Sequence, residues 1–272
     1  MSGESAVTVI EPIWRADYAE ACFHAFHSFY SLPNRSPADD PWPAHGFKWQ
    51  PEEGESQRDL WARYARLADD NFANQLAFWT IVKREATSVT WAEVRTRLGM
   101  TDSNGFREIL WSAIKCSMDD DIRSAGETFA KSVEAAGIYL PSSTEIQPAM
   151  EYRIGQAFKN AGFFDLRLTS EVQDYDVAIT VDDLISSTPI MAFVPIEYSV
   201  PDGAPDVRLR RPNWVPSEIY APDRAMKCVV EYESISTDFF GTKEALEAAR
   251  LDGLFEGEWL PHAFSTLGLP LD

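Results

Sequence analysis

Cysteine is scarce in this chain: Cys22, Cys116 and Cys228 are the only three in 272 residues. They are widely spaced and odd in number. That excludes a disulfide framework and a zinc signature, which need paired or closely spaced thiols. Buried reduced thiols are the expectation. Long hydrophobic runs are missing too. No apolar stretch approaches the roughly 18 residues of a membrane span. The opening MSGESAVTVIEPIWRADY has neither the basic start nor the apolar centre of an export signal. The expectation is a cytoplasmic protein without membrane contact. Basic residues are few, 24 Lys and Arg against 43 Asp and Glu, for a net charge of -19. A field of that sign repels nucleic-acid phosphates and anionic lipids and attracts a basic partner. Surplus carboxylate also serves plain solubility. Catalytic signatures are absent as well: there is no Gly-rich phosphate loop between a strand and a helix, no Gly-x-Ser-x-Gly elbow and no His-Glu-x-x-His pair. No cofactor is expected.

What is present is a foldable core. The chain is 45% hydrophobic and 12% aromatic, with nine tryptophans, and disordered chains lack that much apolar surface. The acidity is general, heavier after Gly137 than before it, and is no acidic tail on a neutral body.

The run from Trp14 to Tyr30, WRADYAEACFHAFHSFY, is compatible with a helix. Five prolines between Pro33 and Pro51 then forbid one. Leu60, Trp61, Tyr64, Leu67 and Ala68 recur at helical spacing within Gln57 to Glu85. Thr90 with Glu93 makes a capping box, and the helix it opens ends at Gly99. A further helix starts at Asp102 or Ser103. The triplet Asp119 to Asp121 opens another that closes at Gly137. Ser142 with Glu145 suggests a second capping box, for a helix ending at Gly162. After it, Leu166 to Val172, Val177 to Val181, Ile190 to Tyr198 and Cys228 to Tyr232 read as strands. A last helix covers Lys243 to Leu251. Helices first and strands later predict an α+β fold: a largely helical part over about 1–162, and a mostly antiparallel sheet with flanking helices over about 163–272, in one domain.

Four groups of residues are candidates for chemistry. Thr90 to Ile114 has the outline of a helix-turn-helix. Arg95, Arg97 and Arg107 are its nucleic-acid candidates, in a patch with a small basic excess, although a DNA reader normally carries a stronger basic footprint. Glu20, His24 and His27 would share one face of a helix, as metal ligands do; the flanking aromatic residues equally suit a packed helix. Arg208, Arg210 and Arg211 with Trp214 make the densest basic cluster, suited to a phosphate or carboxylate, or simply to solvent. Asp174 and Asp176, then Asp182 and Asp183, flank a predicted strand and suit a cation, acid–base work or turns.

The sequence also resembles a bacterial family, the domain of unknown function numbered 2711. The likeness rests on ACFHAF…LP near 21–33, SVTWAEV…LGM at 88–100, IYLPSSTEI at 138–146 followed by GFFDL, and VEYESISTDFFGTKEAL at 230–246. It implies a bacterial, cytoplasmic, single-domain protein and supplies no activity. The functional expectation is a non-enzymatic binding protein, of immunity or inhibitor kind, against a basic protein partner. The alternatives are an enzyme built around His24 and His27 or around Arg208 to Arg211, and a helix-turn-helix regulator.

Overall fold

A computed structural model describes residues 21–37, 54–114, 120–141, 146–169, 176–193, 197–199, 208–210, 218–230 and 235–260. The fold is α+β. Its strands are β1 (Ala21–Phe26), β2 (Phe29–Ser31), β3 (Thr87–Val89), β4 (Asp165–Thr169), β5 (Asp176–Thr180), β6 (Glu197–Ser199), β7 (Arg208–Arg210), β8 (Glu218–Tyr220), β9 (Met226–Val229), β10 (Ser236–Gly241) and β11 (Gly257–Leu260). Its helices are α1 (Gln57–Glu85), α2 (Trp91–Arg97), α3 (Ser103–Ile114), α4 (Asp120–Ala135), α5 (Pro148–Asn160), α6 (Val181–Ile185), α7 (Lys243–Ala249) and α8 (Leu251–Leu254). No helix among the described residues is long and apolar enough to cross a membrane.

The main sheet has seven strands in the order β11-β1-β10-β9-β8-β4-β5, every neighbouring pair antiparallel. Its presence at 21–26 corrects the helical reading of Trp14 to Tyr30, of which residues 14–20 lie outside the described ones. The cause is burial on both sides. Phe23 and Ala25 enter the main core, while Cys22 is buried on the other face. A strand covered on two faces loses its period-two signature and reads as an unbroken apolar run. One face of the sheet presents Phe23, Leu166, Leu168, Ile219, Cys228 and Phe239 to Met150, Ile154 and Phe158 of α5, Leu246 of α7 and Leu184 of α6.

A second core lies around β2 and β3. There α2, α3 and α4 bury Trp91, Val94, Phe106, Leu110, Phe129 and Val133 against Phe29 and Val89. The predicted Thr90–Glu93 capping box is present, with Glu93 N–H on Thr90 Oγ1 at 3.1 Å. Asp102 caps α3 through Asn104 and Gly105 N–H at 3.0 Å each. Gly137 follows α4 at φ +71°, the left-handed geometry expected of it. The start of α5 differs from expectation. Ser142 and Glu145 lie outside the described residues, and the helix begins after Gln147, which makes no side-chain cap, with Pro148 in its first turn. Ile190–Phe193 is a turn of 3-10 helix, not the start of a strand.

The long α1 is tied to α5 by a buried ion pair. Lys83 Nζ lies 2.6 Å from Glu151 Oε2, and both side chains are 1% exposed. Lys83 also donates to the carbonyls of Thr188 and Asp183, at 2.6 and 3.2 Å. Glu151 accepts the Ile190 N–H at 3.0 Å. Burial pushes the Glu151 carboxyl up to about 7 against the opposing pull of Lys83.

Candidate functional site

Side chains alternate across a strand, so residues between the core-facing ones share the opposite face of the sheet. The antiparallel register aligns them in rows. One row crosses all seven strands as Glu258, His24, Asp238, Val229, Glu218, Thr169 and Asp176. The row beside it reads Leu260, Cys22, Phe240, Lys227, Tyr220, Arg167 and Ala178. The first row holds four carboxylates and a histidine. The second holds a lysine, an arginine and a tyrosine beside an apolar group of Cys22, Phe240 and Leu260. Polar side chains on this face are not merely solvated: Glu218, Lys227, Asp238 and Tyr220 are buried.

At the centre, His24 Nδ1 donates to Asp238 Oδ1 at 2.5 Å. The Asp238 side chain is 10% exposed and the His24 side chain 27%. A carboxylate accepts this bond, so the shared proton sits on Nδ1 and the Nε2 side of the ring is turned away from Asp238. The ring stands edge-on to Phe26, with centroids 5.6 Å apart. Cys228 lies on the core side of the sheet. Burial pushes its thiol well up, and the charges of Asp238 and Glu218 add to the shift. That thiol is an unreactive packing group.

Towards β5 the row is held by a small network. Arg167 Nε donates to Asp176 Oδ1 at 2.7 Å, Tyr220 Oη to Asp176 Oδ2 at 3.2 Å, and Thr169 Oγ1 to Glu218 Oε2 at 3.1 Å. The Arg167 hydrogen bond holds the Asp176 carboxyl below its usual range. Burial, then Asp176, push the Tyr220 hydroxyl up. In the second row, Lys227 Nζ sits 5.2 Å from the centre of the Phe240 ring.

Towards β11 the row meets α2 and α3. Glu258 pairs with Arg107 at 3.3 Å, both about half exposed. The Arg107 guanidinium lies 4.9 Å from the centre of the Phe26 ring, and Phe26 stacks on Trp91 at 4.4 Å. Trp91 Nε1 donates to the His27 carbonyl at 2.7 Å. The Glu256 carboxylate accepts the Trp91 and Ala92 N–H groups at 2.6 and 3.3 Å, at the positive end of α2.

These contacts place the sequence candidates. His24 and His27 do not lie on one helical face, because 21–26 is a strand and the chain changes course at 27–28. His24 reaches Asp238, whereas His27 is buried with Nε2 2.9 Å from Thr237 Oγ1. Glu20 lies outside the described residues. Among the described residues no group of three His, Cys, Asp or Glu is arranged to hold a metal ion. The helix pair from Thr90 to Ile114 exists, but its early base Arg107 is turned to Glu258 and Phe26. Arg95 donates to the Thr101 carbonyl at 2.6 Å, and Arg97 is exposed. Arg208 and Arg210 lie on β7, paired with β6 in a two-stranded ribbon. Arg211 and Trp214 lie outside the described residues. Asp183 closes a capping box with Thr180 at the start of α6; Asp182 is exposed and Asp174 lies outside the described residues.

Sequence reasoning missed Asp238, Glu218, Glu258, Lys227 and Tyr220. Only the alternation in ACFHAF and STDFFG could have pointed to a shared face, and aromatic residues on both faces conceal it. No family model, curated protein or solved structure matches the chain.

Proposed function

We propose that this chain is a non-enzymatic binding protein, of immunity or inhibitor kind, and that its partner is a basic protein. The observation that supports the reading is the row of four carboxylates across the second face of the sheet. The carboxylates fall on every second strand, which sets successive ones roughly 9.6 Å apart, a spacing that suits separate Lys or Arg side chains of one partner. Asp238 and Glu218 are buried and engaged by His24 and Thr169, so they add to the negative field of this face without touching a partner. Glu258 and Asp176 are exposed at the two ends, where encounter begins. The pair of Glu258 with Arg107 is exposed and long, so exchange to a partner's cation costs little. Much of the acidic surplus lies outside the described residues, for example Glu4, Glu11, Asp17 and Glu20 against Arg15 before β1. Those charges steer a basic partner at long range and raise its association rate. Capture from the native cytoplasm at low salt tests the reading. The expected result is one specific basic protein; the absence of any such protein sinks it.

Likeness to family 2711 belongs to the same proposal. The stretch at 88–100 covers α2 with its cap, and the stretch at 230–246 includes β10 and most of α7, so these residues supply both scaffold and, with Asp238, part of this face.

A second reading is favoured by the His24–Asp238 pair: an enzyme in which His24 Nε2 takes a proton from water or a hydroxyl group. Asp238 would orient the ring and stabilise the imidazolium. A hydrolase screen tests it. Any activity found must fall together in His24→Asn and Asp238→Asn; activity that survives both substitutions removes this reading.

A further inference from the structure

Arg153 projects from α5 into the junction of three segments. Its Nη2 donates to Ser28 Oγ at 2.9 Å, in the connection between β1 and β2, and its Nη1 to the Leu254 carbonyl at 3.2 Å, at the end of α8. The guanidinium lies 5.2 Å from the centre of the Phe255 ring. Nε is buried with no acceptor. A guanidinium has five N–H donors, so several remain unused. No Asp or Glu among the described residues pairs with Arg153. Burial pushes it down to about 10, and no carboxylate opposes that shift. The contrast is Lys83, whose side chain is 1% exposed and has the Glu151 carboxylate at 2.6 Å. A cation largely withdrawn from water without a counter-charge is costly, and a neutral side chain holds one carbonyl and one hydroxyl more cheaply.

We infer that Arg153 is the anchor of an oxyanion site, which takes a phosphate- or carboxylate-bearing ligand at the junction of α5, the β1–β2 connection and the end of α8. The planar fork of arginine matches both anions with two parallel charge-assisted hydrogen bonds, which lysine cannot reproduce. The Phe255 ring lies against the guanidinium, and each Nη nitrogen keeps a second N–H beyond its bond to Ser28 or Leu254. Ser28 Oγ and the Leu254 carbonyl hold the fork in position, so no side-chain ordering is left to oppose binding. The site is separate from the carboxylate row, and the two readings fail independently.

The test is thermal unfolding and calorimetry with inorganic phosphate and with acetate, against chloride at equal ionic strength. The wild-type protein is expected to show a saturable rise in Tm with at least one of the two anions, and which one responds names the ligand class. Arg153→Met keeps the aliphatic stem and removes the charge; it is expected to lose the response and, without anion, to melt no lower than wild type. Arg153→Lys keeps the charge and loses the fork, so its affinity should fall about tenfold. A wild-type protein without saturable anion-specific stabilisation overturns the site. So does an undiminished response in Arg153→Met or, should that variant not fold, in Arg153→Lys.

Discussion

Two buried acids, Asp238 and Glu151, are faced by different partners. Asp238 has an imidazole N–H at 2.5 Å and sits among polar neighbours on the second face of the sheet. Glu151 is enclosed between α1, α5 and the turn at Ile190, with Lys83 as its counter-charge. Burial raises the Glu151 carboxyl from an ordinary 4.5 to about 7. The folded state therefore holds this proton more tightly than the unfolded chain does. The contribution of this group to stability is full below the unfolded value and is lost as pH rises through the folded one. Over that window wild type should lose stability relative to Glu151→Gln, by at most about 1.4 kcal/mol per pH unit. Denaturant unfolding of both proteins across the window checks this; a flat difference contradicts it. Lys83→Met removes one partner and should cost about 3–5 kcal/mol, read from the same curves. For His24, nitrogen NMR should find the proton on Nδ1 at neutral pH in wild type, and Asp238→Asn should disturb that tautomer. A wild-type Nε2–H tautomer contradicts the orientation given to the ring.

At the scale of elements, helices with local signals were legible and the strands largely were not. The bounds of α1 follow from its apolar spacing and from Ser56, whose Oγ accepts the Asp59 N–H. Thr90, Glu93 and Gly137 likewise mark helix ends through contacts within a few residues. By contrast, β1 is paired with strands more than two hundred residues away, and no local pattern reports such a partner. β11 is four residues long and mostly exposed, so its composition resembles a loop. The same reason hid the candidate face: Asp238, Glu218 and Glu258 fall in one row only through the register of the sheet. His24 was noticed, but a helical period put His27 beside it, whereas β1 carries it to Asp238. Close approach of α3 and α4 makes a further test. A Cβ on Gly126 would lie 2.6 Å from Ser112 Oγ and 2.7 Å from the Ala113 backbone nitrogen. Gly126→Ala should therefore destabilise the second core by about 1–3 kcal/mol despite better helix propensity. Unchanged stability would show that the two helices separate freely.

For the whole molecule, the net charge of -19 is unevenly shared. The described residues mix acids and bases, as in Arg107 with Glu258 and Arg167 with Asp176, while stretches such as 1–20 are one-sidedly acidic. In the proposed complex, long-range attraction and short-range recognition would therefore come from different parts of the chain. Salt should slow association with a basic partner more than it speeds dissociation. In the proposed complex the exposed ends of the row, Glu258 and Asp176, are the carboxylates that make contact. The most direct measurement is the equilibrium affinity of the captured basic partner for wild type and for Glu258→Lys, which reverses an exposed charge at the end of the row. The account predicts affinity at least about tenfold weaker in Glu258→Lys at low salt, with the gap narrowing as salt rises. Equal affinity for the two proteins would contradict it.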